Sequence, residues 1–383
     1  MPSWSRWLET QRGLRDAAAL TRRLRPTETP AEPLARRDGR ELVNLASSNY
    51  LGLAGDPRLV AAAQAAAARG GGAGSSRLVA GHDPAVAALE EKLALFKGTD
   101  GALVFGSGYL ANVGILAAVL DRDAAVFADR LNHASLIDGV RLSGAESRRY
   151  RHLDLDHLES LLARSAASRK LIVTDSVFSM DGDVAPLVEL VALKERYGAA
   201  LLVDEAHAGG VFGPHGEGLA HELGVAGQVE LQMGTFSKAF GAYGAYVAAS
   251  RPWIEQLVST ARTLIYSTAL PPAVVGTIDA ALDLVREADA ARARLRVHAG
   301  RFRAGVRACG FDTGGSTTQI VPALVGGSER VLELAAALEE RGVLAVGIRP
   351  PTVPSGTARL RFSLMATHTD EQLDLALAAL ADA

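Results

Sequence analysis

Between residues 101 and 250 the sequence alternates short apolar runs with segments of helical pattern. This alternation predicts βαβ units, which build a mainly parallel sheet covered by helices on both faces. We therefore expect an α/β fold whose ligand site lies beyond the carboxyl ends of the strands. The predicted strands are Ala102 to Phe105, Ala124 to Ala128, Leu171 to Thr174, Ala199 to Val203, Val229 to Met233 and Gly244 to Ala248.

The composition is that of an ordinary globular protein and names no macromolecular partner. With 383 residues and 48% hydrophobic content, the chain is long enough for one large domain and one or two smaller pieces. A net charge of −3 gives no reason to expect nucleic acid or an anionic membrane as a partner. The single cysteine, Cys309, excludes an intrachain disulfide framework and a cysteine-based metal cluster. The first residues also lack the pattern of an export signal, so we expect a cytoplasmic protein. We expect no metal site.

One segment, Ala102 to Leu120, has no charged residue over nineteen positions, which approaches the length of a membrane-spanning helix. Gly106-Ser107-Gly108 and Asn112 interrupt this segment. The pattern is more typical of a buried strand, a tight glycine turn and a buried helix inside an α/β domain.

The order of the predicted elements suggests three parts. These are an N-terminal helical arm and linker over residues 1–45, a large α/β domain over 46–285 and a small α+β domain over 286–383. The arm begins with an amphipathic pattern that predicts a helix from residue 1 to about residue 25. After Pro272 an alanine- and arginine-rich pattern predicts one long helix or two toward Cys309. The later predicted elements are strand Gln319 to Ala323, helix Glu329 to Arg341, strands Val343 to Val346 and Ala358 to Leu364, and a last helix after the capping box that begins at Thr369.

Lys238 lies in a turn of small residues that follows the predicted strand Val229 to Met233. A lysine near apolar surface has its ammonium form disfavoured, so its amine is available as a nucleophile and base for Schiff-base chemistry. A surface lysine in a loop is an alternative that this motif alone leaves open.

Asp204 and His207 follow the apolar run Leu201 to Val203. Taken alone, Asp204 is equally consistent with a helix cap. Together with Lys238, these residues match three needs of pyridoxal phosphate. A carboxylate keeps the pyridine nitrogen protonated, a histidine binds the ring oxygen, and a lysine forms the Schiff base.

Two further turns lie at the same predicted edge of the sheet. Ser107-Gly108-Tyr109 joins a strand to a helix, and its free amides and helix dipole favour a phosphate. His133 follows the strand Ala124 to Ala128, where an imidazole either stacks on a cofactor ring or serves only the structure. The sequence motif alone does not choose between these two roles.

Taken together, these motifs resemble the α-oxoamine synthase family of fold-type I pyridoxal-phosphate enzymes. The resemblance spans nearly the whole chain. The segments that carry it are Tyr50-Leu51-Gly52-Leu53, Gly74-Ser75-Ser76-Arg77, Asn132-His133-Ala134-Ser135-Leu136, Thr174 to Asp183, Val203-Asp204-Glu205-Ala206-His207, Thr235-Phe236-Ser237-Lys238, Tyr266-Ser267-Thr268 and Arg349 to Pro354.

The resemblance implies one set of residues that holds and activates pyridoxal 5'-phosphate. Lys238 would carry the cofactor as a Schiff base, Asp204 would pair with its pyridine nitrogen, and His133 would stack over the ring. These three are the implied catalytic residues. The implied cofactor-binding residues are Gly108, Tyr109 and Thr235 at the phosphate, Ser179 and His207 at the ring oxygen, and Asp204 and Lys238.

The resemblance also implies a substrate-binding set and a partner subunit. The implied substrate-binding residues are Arg22 and Arg349 for carboxylates, Thr352 for the acyl pocket, and His133. Arg22 is preferred to Arg23 because its spacing to Pro26 fits better. Ser267 and Thr268 would reach the phosphate bound by a second copy, so a homodimer with shared active sites is expected.

The implied activity is a decarboxylative condensation of L-alanine with a pimeloyl thioester, pimeloyl-ACP or pimeloyl-CoA, on the route to biotin. Relatives join glycine or serine to other thioesters, so a glycine C-acetyltransferase is the alternative within the family. An aminotransferase and a catalytically silent partner subunit are the alternatives outside this reaction. Two departures from the family pattern, Ser48-Asn49 and Ala208, leave the role of Asn49 and the detailed pocket shape open.

Overall fold

The computed structural model describes residues 3–29 and 33–383, which form two compact units. Unit 1 consists of the described residues up to Tyr50, together with Met180–Asp183 and Ala293–Ala383, and unit 2 consists of Leu51–Ser179 and Val184–Arg292. The described part of the predicted N-terminal arm thus belongs to the same unit as the C-terminal residues. The division into three parts stays a prediction.

The secondary structure alternates helices and strands through most of the chain. The helices are α1 (Ser3–Ala17), α2 (Pro57–Ala67), α3 (Pro84–Lys97), α4 (Gly108–Val119), α5 (Ala134–Ser143), α6 (Leu155–Ala163), α7 (Leu187–Tyr197), α8 (Leu219–Glu222), α9 (Arg251–Thr260), α10 (Arg262–Ile265), α11 (Pro272–Arg286), α12 (Asp289–Ala308), α13 (Ser328–Glu340) and α14 (Asp370–Ala381). The strands are β1 (Leu34–Arg37), β2 (Arg40–Asn44), β3 (Gly101–Phe105), β4 (Ala124–Asp129), β5 (Glu146–Tyr150), β6 (Arg169–Asp175), β7 (Ala200–Asp204), β8 (Leu231–Thr235), β9 (Ala245–Ala249), β10 (Ile320–Gly326), β11 (Val343–Leu344), β12 (Val346–Ile348) and β13 (Ala358–Ser363).

Unit 2 is built on a seven-stranded sheet in the order β3-β9-β8-β7-β6-β4-β5. β8, β7, β6, β4 and β5 pair in parallel, in this order across the sheet, and β9 is antiparallel to both of its neighbours, β3 and β8. The predicted α/β fold with a mainly parallel sheet is therefore confirmed. The prediction missed β5, because this edge strand carries the polar sequence Glu-Ser-Arg-Arg-Tyr and is only partly buried.

The uncharged segment that begins at Ala102 forms β3 and α4, as the glycine turn between them predicted. The Ser107 side chain caps α4 by accepting a hydrogen bond from the Leu110 N–H at 3.2 Å. Helix α4 packs against α5 and the sheet, and Ala111, Ile115 and Leu116 lie in the core of unit 2. Within residues 3–29 and 33–383, no helix has both the length and the apolar character needed to span a bilayer.

The predicted helix over residues 1 to 25 is wrong beyond α1, which ends at Ala17. The Leu20 N–H donates to Arg15 O and the Ala19 N–H to Asp16 O, the hydrogen-bond pattern of a Schellman motif. Ala19 adopts the required left-handed conformation with φ 55°. The chain therefore leaves the helix before the arginine-rich end of the predicted segment, although no glycine marks this end.

Unit 1 contains two small sheets, in the orders β1-β2-β11 and β10-β13-β12. Of the predicted elements, the strand from Val343 to Val346 is divided into β11 and β12. The capping box that opens α14 is present, because Thr369 and Gln372 exchange side-chain and backbone hydrogen bonds. The long helical pattern after Pro272 forms two helices, α11 and α12.

Candidate active site

Three neighbouring strands of the unit 2 sheet end in aspartates. Asp129, Asp175 and Asp204 are the last residues of β4, β6 and β7, and all three are buried. Asp175 and Asp204 are direct register partners. Because these strands are parallel, their carboxyl ends lie at one edge of the sheet, where the sequence predicted a ligand site.

Asp204 is 3% exposed, and both of its carboxylate oxygens accept hydrogen bonds. Oδ1 accepts the Ala206 N–H at 2.8 Å, and Oδ2 accepts the side-chain amide of Asn112 at 2.7 Å. The sequence reasoning did not assign Asn112 a role. Its signal was a polar residue inside the apolar pattern of α4, where it is completely buried.

A chain of side-chain hydrogen bonds connects His133 to Asp204. The Asn112 Nδ2 atom also lies 2.9 Å from the Ser135 hydroxyl, which lies 2.7 Å from His133 Nδ1. The Ser135 backbone N–H donates to the same imidazole nitrogen at 3.3 Å, so His133 caps the N-terminus of α5. Two predicted catalytic residues from different elements are thereby joined through Asn112 and Ser135.

Asp175 is a further acidic residue that the sequence reasoning did not single out. Its Oδ2 accepts the His133 backbone N–H at 2.8 Å, which fixes the start of α5 against the end of β6. Burial and the neighbouring Asp204 carboxylate raise the pKa of Asp175 well above its ordinary value. Its sequence signals were its position after a predicted strand and its place in the segment Thr174 to Asp183.

His133 lies in a mixed electrostatic environment. Its side chain is partly open to solvent, yet desolvation by the surrounding protein lowers the pKa of the imidazole below its ordinary value. Asp204 and Asp138 oppose this shift, whereas the Lys238 ammonium adds to it. Neutral imidazole is therefore favoured, and Lys238 lies close enough to His133 to influence its titration.

Lys238 is half-buried in the turn that follows β8. The Lys238 carbonyl accepts the Gly241 N–H at 2.9 Å. Gly241 has a φ of +64°, and a Cβ there would lie 2.3 Å from the Ala54 nitrogen, so this position requires glycine. The turn therefore holds Lys238 on a tightly packed backbone rather than on an open surface loop.

The predicted phosphate-binding residues meet at the N-terminus of α4. Gly108 and Tyr109 are the first two residues of this helix, whose first N–H groups have no partner within the helix. A Cβ on Gly108 would lie 3.9 Å from Thr235 Cβ, which places the end of β8 beside this helix start. The Thr235 hydroxyl donates to Gly244 O at 2.8 Å, and the Tyr109 hydroxyl donates to Asp138.

His207 and Ser179 occupy turns that follow β7 and β6. His207 is 7% exposed and Ser179 is half-buried. The turn at His207 is closed by the Ala208 N–H, which donates to Glu205 O at 2.9 Å. Both residues thus belong to turns at the aspartate edge of the sheet.

The predicted substrate-binding residues of unit 1 form a separate group. Arg22 Nη2 lies 3.4 Å from the Thr352 hydroxyl. Arg349 donates to the backbone carbonyls of Ala19 and Thr21 at 2.7 and 2.9 Å. Burial and the charge of Arg22 lower the pKa of Arg349. Arg22 and its neighbours Ala19 and Thr21 therefore lie near Arg349 and Thr352, about 330 positions away in sequence, within unit 1.

The residues of unit 2 fit pyridoxal phosphate in three respects. Asp204 offers a buried carboxylate, as a protonated pyridine nitrogen requires. Gly108 lies close to Thr235 and Met233 at a helix N-terminus suited to phosphate. Lys238 supplies an amine in the turn after β8, three residues beyond Thr235.

Comparison with known proteins gives a consistent result. Residues 40–380 match the model of the family described as aminotransferase class I and II. The 8-amino-7-oxononanoate synthase of Geobacter sulfurreducens is 56% identical over 90% of this chain and 89% of its own. The protein of the same name from Anaeromyxobacter dehalogenans (strain 2CP-1) is 52% identical over 98% and 94%. A high-resolution structure of SPT with PLP internal aldimine superposes with a TM-score of 0.88 at 35% identity, over 92% of this chain and 89% of that one.

Proposed function

This chain belongs to the class I and II aminotransferase family of fold-type I pyridoxal-phosphate enzymes, and from this premise we propose that it is an acyltransferase acting on L-alanine and a pimeloyl thioester. The products of the reaction are 8-amino-7-oxononanoate, carbon dioxide and the free thiol. A bond forms between the alanine Cα and the thioester carbonyl carbon, the C–S bond breaks, and the alanine carboxylate leaves as carbon dioxide. The names of the relatives support this choice of reaction.

The observation that carries the proposal is the hydrogen-bonded grouping at the aspartate edge of the sheet. Asp204 and His133 are connected there through Asn112 and Ser135, and Lys238 influences the pKa of His133. An acid, an imidazole and an amine so arranged are the groups needed to activate an amino acid at its Cα.

Pyridoxal phosphate, when bound, supplies an electron sink for negative charge that develops at the amino acid Cα. The Lys238 amine is proposed to anchor the cofactor and then to take and return the proton at that carbon. The Asp204 carboxylate holds a proton at the pyridine nitrogen. The amides of Gly108 and Tyr109, with Thr235, bind the phosphate, and His207 and Ser179 bind the ring oxygen.

The proposed substrate contacts use His133, Arg22, Arg349 and Thr352. Neutral imidazole at His133 suits stacking on an aromatic ring and donation of one hydrogen bond to a substrate carboxylate. Guanidinium groups bind carboxylates through two parallel hydrogen bonds, which favours Arg349 and Arg22 for this role. The closeness of Arg22 to Thr352 supports their assignment to one substrate. We also propose a homodimer in which Ser267 and Thr268 reach the phosphate bound by the second copy.

Steady-state assays over a matrix of amino acids and acyl thioesters test the proposed reaction. We expect turnover with alanine and a pimeloyl thioester, with release of thiol and carbon dioxide, and much slower turnover with glycine and acetyl thioester. The opposite preference would assign the chain to glycine C-acetyltransfer. Release of a keto acid in the absence of any thioester would identify an aminotransferase.

Lys238→Ala tests the assignment of the reacting amine. General acid–base catalysis contributes about 10²- to 10⁴-fold, so this variant should lose at least that much of kcat while its unfolding transition stays close to that of the parent. Lys170→Ala serves as the control and should retain activity, because Lys170 lies at the start of β6, away from the end of this strand at Asp175. Full activity in Lys238→Ala would rule out the assignment.

A further inference from the structure

The amide of Asn112 makes two hydrogen bonds from the same nitrogen. Nδ2 lies 2.7 Å from Asp204 Oδ2 and 2.9 Å from Ser135 Oγ. An amide nitrogen carries two hydrogens and accepts none, so both contacts are donations. If the amide were turned around, its oxygen would face the Asp204 carboxylate and the two acceptors would repel. The accepting oxygen of Asp204 therefore fixes the orientation of Asn112.

The orientation of Asn112 determines the direction of the next hydrogen bond. Ser135 Oγ accepts from the amide, and its own hydrogen is then available for His133 Nδ1 at 2.7 Å. The Ser135 backbone N–H is directed at the same imidazole nitrogen at 3.3 Å. Nδ1 thus faces two donors, and a hydrogen on this nitrogen would meet the backbone N–H.

We propose that Asn112 and Ser135 are positioning residues that hold His133 as the neutral tautomer with its proton on Nε2, through a chain of hydrogen bonds that begins at the Asp204 carboxylate. Asp204, proposed to bind the pyridine nitrogen, and His133, proposed to stack over the ring, then belong to one hydrogen-bonded network. The inference rests on the proposed function only for the roles of Asp204 and His133 toward cofactor and substrate.

The burial of the connecting groups supports a fixed arrangement. Asn112 and Ser135 are each completely buried, so water does not compete for their hydrogen bonds. Asn112 Oδ1 has no hydrogen-bond partner among residues 3–29 and 33–383. A buried unpaired oxygen has an energetic cost. The two hydrogen bonds that Nδ2 donates offset this cost and hold the amide in its orientation.

Four charged or titratable groups surround His133 besides the connecting residues. Asp204 and Asp138 raise the pKa of the imidazole, Lys238 lowers it, and Asp175 binds the His133 backbone N–H. Desolvation is the largest influence and favours the neutral ring. Donation by Ser135 to Nδ1 acts in the same direction, because it stabilises only the unprotonated nitrogen.

The test is a ring-nitrogen spectrum of the full chain without cofactor, labelled with ¹⁵N-histidine. Long-range ¹H–¹⁵N correlations distinguish protonated from unprotonated ring nitrogens, and the His133 signals are those absent from His133→Gln. We expect Nδ1 to be unprotonated and Nε2 protonated at neutral pH. A proton on Nδ1 in the parent protein would overturn the proposal without the need for any variant.

Ser135→Ala removes the donor hydroxyl and keeps the backbone N–H. Because a net hydrogen bond is worth about 1 kcal/mol and one pKa unit about 1.4 kcal/mol, the pKa of His133 should rise by roughly half a unit to one unit. Ser143→Ala, at the far end of α5, should leave the pKa unchanged, since its hydroxyl binds Val140 O. An unchanged His133 titration in Ser135→Ala would contradict the proposal. Neither readout depends on substrate, so failure of the proposed reaction leaves this test intact.

Discussion

At the scale of single residues, two neighbouring aspartates of the candidate site, Asp175 and Asp204, have different hydrogen-bond partners. Asp204 and Asp175 end adjacent strands, but only Asp204 receives a side-chain amide. The pKa of Asp175 is raised by burial and by Asp204, which favours the protonated form of Asp175. We infer that Asp175 contributes less negative charge to this edge of the sheet than an ordinary aspartate would.

Gly108→Ala tests the open space at the start of α4. The added Cβ would lie 3.2 Å from the flexible end of Met233 and 3.9 Å from Thr235 Cβ, so it should crowd the proposed phosphate-binding residues at the start of α4, while adjustment of Met233 keeps the effect on folding small. We expect the dissociation constant of pyridoxal phosphate to rise about tenfold, the equivalent of one lost charge-assisted hydrogen bond. Titration of the cofactor-free protein by absorbance measures this change.

The matched control is Gly106→Ala in the same turn. A Cβ at Gly106 would make only an ordinary contact, 3.5 Å from Leu110, so cofactor affinity should stay within about twofold of the parent value. Equal affinities in Gly108→Ala and Gly106→Ala would remove the argument for a phosphate at this helix.

At the scale of elements, the turn after β7 is held by a buried ion pair. Lys97, the last residue of α3, donates to Glu205 at 2.7 Å and to the Glu217 carbonyl. Both charged side chains are completely buried, and Glu205 also accepts the Ala220 N–H. Helix α3 therefore holds both Glu205, immediately after Asp204, and Glu217, further along the same connecting segment.

Lys97→Met should destabilise the protein by about 3 to 5 kcal/mol, because it leaves the buried Glu205 carboxylate unpaired. The double variant Lys97→Met/Glu205→Gln should recover part of this loss, since it removes the unpaired charge. Urea unfolding curves give these free energies. Lys92→Met on the same helix, whose partners Asp279 and Asp283 are exposed, should cost about 1 kcal/mol or less. Similar losses from Lys97→Met and Lys92→Met would show that the buried pair has no special role.

Ala19→Gly should stabilise the C-terminal end of α1. Ala19 has a φ of 55°, a conformation that costs an L-residue about 1 kcal/mol and glycine almost nothing. Hydrogen exchange of the α1 amides should therefore become slower. Ala17→Gly is the control and should make exchange faster, because glycine is unfavourable within a helix. Faster exchange in Ala19→Gly would contradict the assigned end of the helix.

At the scale of the whole molecule, each unit has its own buried polar groups that depend on the native fold. In unit 1, His368 accepts the Met365 N–H at Nδ1 and lies 3.2 Å from Asn44 O at Nε2. Burial and nearby His298 lower the pKa of His368 to about 4. The native state thus holds this imidazole neutral, whereas the unfolded chain protonates it near pH 6.5.

Stability should consequently fall in mild acid. Below pH 6.5 the unfolded state binds a proton at His368, whereas the folded state binds it only near pH 4. The contribution of neutral His368 to stability is therefore fully present above pH 6.5 and decreases as the pH falls from 6.5 to about 4. The loss between pH 7 and pH 5 from this residue is about 2 kcal/mol. His368→Gln should flatten this dependence, and the exposed His215→Gln should not, as measured by urea unfolding at both values. If the free energy of unfolding of His368→Gln fell between pH 7 and pH 5 as much as that of the parent protein, other groups would cause the acid sensitivity.

Much of the fold and part of the site were predictable from local patterns. The alternation of apolar runs and helices predicted the strands of the parallel sheet. Asp204 is the last residue of one of these strands, and His133 and Lys238 lie in the turns that follow two others. The predicted end of α1 was wrong because alanine, rather than glycine, adopts the left-handed conformation there. The polar edge strand β5 was missed because it has little apolar signal.

The sequence by itself determined the α/β architecture and the residues at the strand ends, because periodicity and turn composition act over a few neighbouring positions. Only the tertiary structure decided which distant groups became partners. Asn112 binds an acid 92 positions away, and Lys97 binds one 108 positions away. Such pairs depend on where helices pack against the sheet, and a buried polar residue in an apolar helix does not reveal its partner until that packing is known.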